Sequence, residues 1–513
     1  MQEFIKRHQD KVIGCLEGFD RLILHGSLQA IVYGEALSKF LYIQGIRFSD
    51  YKSFTIACTQ TLARHAQQVA MNQGRPYRHL PSPKISKEDI ARRIAEQDGI
   101  REGLICVLAC IESCMTVSIR QREGGPKLVR EVRKCNFYYF YYMHPEFGLM
   151  HVRLQSWLPF DAQVYVNGRS YLQRQMEREG IGYIQRRNCF VRIDDIPRAQ
   201  ELLDQLRTCC WEAILTPLVM PLNPLLGSQG PFQGLTYYWT IRQSEIATDV
   251  MFQDEEALAG IYPSLCRHVM ERHDGGRDVL RFFGKKESLK WRGEVVTEVS
   301  HLAEGVRIRH RMGANSIKMY DKEGSVLRIE TTINDPGSFR VFRKAQNAPN
   351  SALAWRVMCK GVSETSRRVE VSLAANRRYL DALAVVGDPA PAHRVLDPIC
   401  QPVRKPSGRA RALRPVGPED AKLFEAVLHG EHTINGFTNG DIQSLLYASP
   451  ARGPTEARRR SSRMGRSLRM LRCHGLIHKV GPRRLYRVSS KGNQAMTLAL
   501  AIRQAATAII QAA

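Results

Sequence analysis

No apolar run in this sequence approaches the roughly 20 residues that a membrane-crossing helix needs. The opening residues Met1, Gln2, Glu3 and Phe4 also lack the apolar stretch of a secretion signal. The expectation is a cytoplasmic protein with no membrane partner. There is no internal repeat, and so no sign of a solenoid. Thirteen cysteines are scattered and odd in number, which fits reduced thiols better than a disulfide framework. Cys106, Cys110 and Cys114 form a C-x3-C-x3-C series that matches neither zinc-site nor iron–sulfur spacing. Inside LICVLACIESCMTVSI they are expected as small core residues. Acid is scarce: 50 Asp plus Glu face 75 Lys plus Arg, a net charge of +25. A chain so basic repels itself unless a polyanion is present, which makes nucleic acid the expected partner, with DNA before RNA.

At 513 residues the chain exceeds one ordinary core, so three or so domains are expected. The fold class is α+β and multidomain, with mixed or antiparallel sheets, helices and a small helical domain at the C-terminus. Residues 1–225 mix helical periodicity (49–74 and 86–97, with Ser86 as N-cap) with strand-like runs at 104–119 and 136–167. Residues 226–386 follow the Pro/Gly-rich PLNPLLGSQGPFQG and form a second α+β domain. Residues 387–418 hold seven prolines and read as a linker. Residues 419–513 form the last domain. In NFYYFYYM, residues 136–143, one set of alternating rings is core, and the other is either core too or a platform for unpaired bases.

The stretch 305–334 carries the most chemistry. A two-residue turn at Gly313-Ala314 pairs Arg311 with Ser316, Arg309 with Lys318 and Arg307 with Tyr320. Ile308, His310, Met312, Ile317 and Met319 then face the core. The next strand, VLRIETTI, sends Arg328, Glu330 and Thr332 to the polar face. An odd loop is required. Five residues set Lys318 across from Arg328, and seven set it across from Glu330. Either way Tyr320 sits amid Arg307, Arg309, Arg311, Lys318 and Arg328, with Glu330 as the face's single acid. Such a field favours the phenolate and attracts phosphate.

G-x-x-S-I-K-M-Y-D-K followed by L-R-I-E resembles the tyrosine motif of rolling-circle replication initiators and relaxases of small plasmids and filamentous phages. The resemblance is confined to the stretch 305–334. It implies a DNA nickase of a mobile element with Tyr320 as nucleophile, Lys318 and Lys322 as phosphate ligands, and Glu330 as metal ligand or base. Such enzymes need a divalent cation, Mg2+ or Mn2+. Glu245 and Asp249 are the candidates to join Glu330, and they share a face if QSEIATDVMF is helical; Asp278 is a further candidate. The residues are equally compatible with a non-catalytic repressor or nucleic-acid scaffold, and also with a metal-dependent nuclease or transposase that uses water.

The final domain resembles the winged-helix family: three helices, a strand–turn–strand and a last helix. Ala457, Ser461, Met464, Leu468 and Leu471 form the buried stripe of its third helix. Arg458, Arg459, Arg460, Arg463, Arg466, Arg469 and Arg472 take the other faces and suit a groove lined by phosphates. Lys479, Arg483, Arg484 and Arg487 on the hairpin would reach the flanking backbone. Residues 404–491 hold 19 Lys plus Arg and 6 Asp plus Glu, or +13 of the total charge. A homodimer would suit a palindromic target.

Overall fold

The computed structural model describes all residues except 33, 273–275, 286–292, 303–304, 346–347, 349, 385, 387–391, 406–407, 430–431, 433–435, 448, 481–483 and 505–513. The chain divides into two units that are not in sequence order. The first comprises Cys15–Asp249 and Glu330–Leu373; the second comprises Met1–Gly14, Val250–Ile329 and Ala374–Ala513. In chain order the strands are β1 (Val12–Ser27), β2 (Tyr77–Leu80), β3 (Gly103–Arg122), β4 (Gly125–His144), β5 (Gly148–Gln155), β6 (Ala162–Asn167), β7 (Tyr183–Arg186), β8 (Cys189–Ile193) and β9 (Tyr238–Phe252). They continue as β10 (Val295–Leu302), β11 (Gly305–Met312), β12 (Asn315–Lys322), β13 (Val326–Ile333), β14 (Arg340–Arg343), β15 (Ala354–Val357), β16 (Val403–Lys405), β17 (Gly408–Ala410), β18 (Ile477–Lys479) and β19 (Tyr486–Val488). The α+β class is as expected.

In the first unit, residues 330–333 of β13 lead into the order β9-β1-β6-β5-β4-β3-β2. All described pairings in this run are antiparallel except β2 with β3. Helix Lys87–Gln97 starts at Ser86, whose side chain accepts from the Asp89 amide at 3.3 Å. Its Ala91, Ile94 and Ala95 pack with Ile105, Leu108, Phe137, Tyr139 and Tyr141. Tyr138 and Phe140, on the opposite face of β4, are 1% and 0% exposed. Both faces of the strand are therefore covered from Phe137 to Tyr141, so these five rings are core and offer no base platform, while Tyr142 is half-buried. Cys106 and Cys110 are likewise buried, and all the cysteines are free thiols.

In the second unit, β10, β11, β12 and β13 follow one another in order. The β11–β12 register is the expected one: Arg307 pairs with Tyr320, Arg309 with Lys318 and Arg311 with Ser316. Ile308, His310, Met312, Ile317 and Met319 are all buried. The link from β12 to β13 is Glu323, Gly324 and Ser325, shorter than either expected loop and odd as parity demands. Glu323 (φ 56°) and Gly324 (φ 78°) take the left-handed turn.

The C-terminal part of this unit runs helix Pro418–Val427, helix Asn439–Leu446, helix Pro454–Cys473, β18, β19 and helix Ser490–Gln504. Thr438 and Asp441 close a capping box on the second of these helices. Met464, Leu468 and Leu471 enter the core, with Phe424, Ile442, Ile477 and Met496. Ala457 and Ser461 are exposed, so the stripe is buried only over the helix's second half. The Pro-rich 387–418 segment is more than a linker, because its Val395, Ile399 and Leu413 join the same core.

His310 is fully buried, with Nδ1 2.8 Å from the Thr297 hydroxyl and Nε2 3.1 Å from that of Tyr379. Burial lowers its pKa to about 4. In the unfolded chain the imidazole protonates near its ordinary 6.5, so the native state loses stability as pH falls from 6.5 to 4 and keeps it above that window. The full effect is on the order of 3 kcal/mol. Urea unfolding across this range is expected to show that slope in the wild type and a shallower one in His310→Phe.

Candidate functional site

QSEIATDVMF lies in strand β9, not in a helix. Four residues along a strand span about 13 Å, so Glu245 and Asp249 cannot ligate one ion together, and Asp249 leaves the metal set. Its carboxylate is 2.7 Å from Arg169 Nη2. Asp278 falls in helix Gly276–Phe282, and its side chain lies outside the described residues.

Glu245 and Glu330 do converge, and the third member is Asp20 of β1. One carboxylate oxygen from each of Asp20, Glu245 and Glu330 lies within 4.8 Å of the others, and the residues are 3%, 6% and 2% exposed. They come from neighbouring strands, β1, β9 and the 330–333 end of β13. Asn188 Nδ2 donates to Asp20 Oδ1 at 2.9 Å. Gln243 Nε2 donates to Glu245 Oε1 at 2.7 Å, and Arg21 Nη1 stands 3.7 Å from Glu245 Oε2. An all-carboxylate donor set of this spread suits a hard divalent cation such as Mg2+ or Mn2+ rather than zinc or copper. Sequence reading missed Asp20, which lies far from Glu245 along the chain; the available signal was an acid within the apolar run GCLEGFDRLILHG.

Arg169 organises this group. Its side chain is 0% exposed, ties Asp249 by Nη2 and places Nε 3.8 Å from Asp20 Oδ1. The arginine sits at the start of helix Gly168–Glu179, where Asn167 Oδ1 accepts from the amides of Arg169 and Ser170 at 2.8 and 3.0 Å. Gly168 is required by packing: a Cβ there would stand 2.0 Å from the Phe19 carbonyl oxygen.

The residues expected around Tyr320 are distributed differently from the sequence reading. Arg307, Arg309, Arg311, Lys318, Tyr320 and Lys322 are half-buried, whereas Arg328 is 1% exposed and β13 is buried along its whole length. Arg328 and Glu330 therefore belong to no open polar face. Nor is Glu330 its single acid. Strand β10 brings Glu298 within 3.0 Å of Arg311 and 4.0 Å of Arg309, so part of the positive charge is answered within the sheet. In the C-terminal region Arg458, Arg459, Arg463, Arg466, Arg469, Arg472, Lys479, Arg484 and Arg487 are exposed. Arg460 is tied to Glu456 at 2.5 Å and lies over the Tyr447 ring. Arg483 lies outside the described residues.

A separate cavity of about 400 Å³ in the first unit is lined by Arg130, Arg153, Arg242 and Lys360 among others. None of the three clustered carboxylates lines it. Arg153 is held in place, 2.7 Å from Glu112 and 3.7 Å over the Phe137 ring.

Removing Arg169 leaves buried carboxylates without that guanidinium. Arg169→Met is expected to cost about 3–5 kcal/mol in urea unfolding, and Arg169→Met/Asp249→Leu to recover much of the loss. Gly168→Ala should also destabilise, by about 1–3 kcal/mol or more, because the clash is with backbone. Equal losses in the single and double variants would refute the Arg169–Asp249 coupling.

No family model, curated protein or solved structure matches the chain.

Proposed function

We propose that the protein is a nucleic-acid-cleaving enzyme of a mobile element, a site-specific DNA nickase akin to rolling-circle initiators and relaxases. The convergence of Glu245 and Glu330 with Asp20 carries the reading, because it supplies the metal-binding carboxylates such chemistry needs. Asp20, Glu245 and Glu330 would hold Mg2+ or Mn2+, a divalent charge of the kind phosphoryl chemistry uses. Tyr320 is the nucleophile. Its strand position opposite Arg307, two residues from Lys318, sets it among cations that draw a phosphodiester toward it. The tyrosine oxygen bonds to phosphorus as the bond to the 3′ oxygen breaks. The phenolic proton has already left to solvent or a base, and the 3′ oxygen takes one up. The 5′ end then stays on the protein for later rejoining.

The C-terminal region supports target recognition. Its helix order and paired β18–β19 hairpin agree with a winged helix, in which Arg459, Arg463 and Arg466 would enter the groove while Lys479 and Arg484 contact flanking phosphates. A homodimer would read a palindrome. A second reading, a nuclease or transposase with water as nucleophile, is favoured by one fact: the three carboxylates lie wholly in the first unit and need no tyrosine.

Wild-type protein with supercoiled and single-stranded DNA plus Mg2+ is expected to give a covalent adduct on a denaturing gel, lost in Tyr320→Phe. Mn2+ titration calorimetry should show Glu330→Gln weakening the metal at least as much as the roughly 10–100-fold typical of outer-shell changes. Cleavage without adduct would establish the water reading. Salt-sensitive DNA binding with neither adduct nor metal would leave a repressor or scaffold.

A further inference from the structure

Strands β14 and β15 form a two-stranded hairpin of the first unit, in which Phe342 pairs with Trp355 and Arg340 with Val357. Its inner side is fastened. Val341 is 5% exposed, and Arg343, 8% exposed, donates to the carbonyls of Lys344 and Val357 at 3.1 and 3.0 Å and sits 3.4 Å from the buried Glu364. The outer side is the reverse of what a strand pair in water needs. Trp355 is 66% exposed, Leu353 55%, Phe342 53% and Val357 49%. The Phe342 and Trp355 ring centroids are 5.8 Å apart. A fastened hairpin that holds two large rings in water has a partner for them.

Charge identifies the partner. Residues 340–357 contain Arg340, Arg343, Lys344 and Arg356 and no Asp or Glu. Arg340 and Lys344 are exposed beside the rings. A second copy docked through this same face would set Arg340 and Lys344 against their like, and an apolar protein surface would leave the cations unanswered. An unpaired nucleic-acid strand has both a flat face for each ring and a phosphate for each cation. We infer that the outer face of the β14–β15 hairpin is a stacking platform for single-stranded nucleic acid, with Phe342 and Trp355 under successive bases and Arg340 and Lys344 on the backbone. The inference rests on the reading that this protein engages nucleic acid. It adds a surface that the tyrosine and metal chemistry do not specify.

The test compares two strands of equal length and charge, a twelve-nucleotide oligothymidylate and its fully abasic counterpart, by fluorescence anisotropy with full-length protein in EDTA. Wild type is expected to bind oligothymidylate about tenfold or more tightly than the abasic strand, since stacking on one aromatic side chain is worth that much or more. Phe342→Ala/Trp355→Ala, with unchanged circular dichroism, should remove the difference by weakening oligothymidylate alone. Arg340→Ala should weaken both strands and flatten the salt dependence. Oligothymidylate binding unchanged in the double variant, or a wild type that treats both strands alike, overturns the platform. So does self-association lost in the double variant without any dependence on bases, which would give the face to a second copy. With metal absent, failure here leaves the adduct assay untouched, and failure of the adduct assay leaves this result standing.

Discussion

Burying like charges together is the constraint on which the first unit depends. Two carboxylates about 4 Å apart repel by about 4 kcal/mol at the effective dielectric of a protein near its surface, and Asp20, Glu245 and Glu330 lie within 4.8 Å of one another with all three buried. Asp249 adds a fourth acid, and Arg169 brings a guanidinium to both Asp249 and Asp20. The position of that guanidinium is fixed by the Asn167 cap and by the one residue, Gly168, that lets the helix start lie against the Phe19 carbonyl. Strand order, glycine, cap and arginine are parts of one solution to an electrostatic problem. A fold has little reason to set such a problem for stability alone, since apolar residues of similar volume do as well or better. A bound cation, as proposed, would relieve that repulsion.

Local features were legible because local rules decide them. Strand parity and a two-residue turn gave the β11–β12 register residue by residue, and Ser86 caps the helix it precedes. Glu330 could be picked out from the L-R-I-E strand, and Glu245 as a candidate acid to join it. Asp20 could not be joined to them, because the contact depends on which strands become neighbours when distant parts of the chain meet in one sheet. The same limit hid Glu298. Its strand follows a stretch with little periodicity, so the basic face around Tyr320 read as less balanced than it is. Asp249 was misplaced for a different reason: a spacing of four brings side chains together on a helix and holds them far apart on a strand.

Aromatic density and aromatic availability are opposed in this chain. Six consecutive rings on β4 must point both ways, and a strand so apolar is stable only where both faces are covered, as Tyr138 and Tyr139 show by being buried on opposite sides. Sparse rings on a short hairpin have no such support. Phe342 and Trp355 alternate with residues that anchor the hairpin, and the alternation alone turns them to solvent. Ring count along the sequence therefore points to the core, while rings interleaved with arginine on a short strand point to surface.

The two basic regions differ by the same kind of argument. On β11, Arg309 and Arg311 are met by Glu298, so part of that face's charge is answered within the sheet. Helix Pro454–Cys473 carries seven arginines and one acid, Glu456, which is committed to Arg460. Arg459, Arg463 and Arg466 follow at spacings of four and three, where like charges cost roughly 0.2–0.5 kcal/mol per pair. Proline at the first helical position and Glu456 in the first turn favour the start of this helix, but its first turns bury no apolar side chain of their own, since Ala457 and Ser461 are exposed. Nothing in core packing requires those turns to persist, whereas a polyanion lying along them would relieve the repulsion. Under the proposed function this helix, rather than the sheet face around Tyr320, is where the larger electrostatic share of target affinity arises.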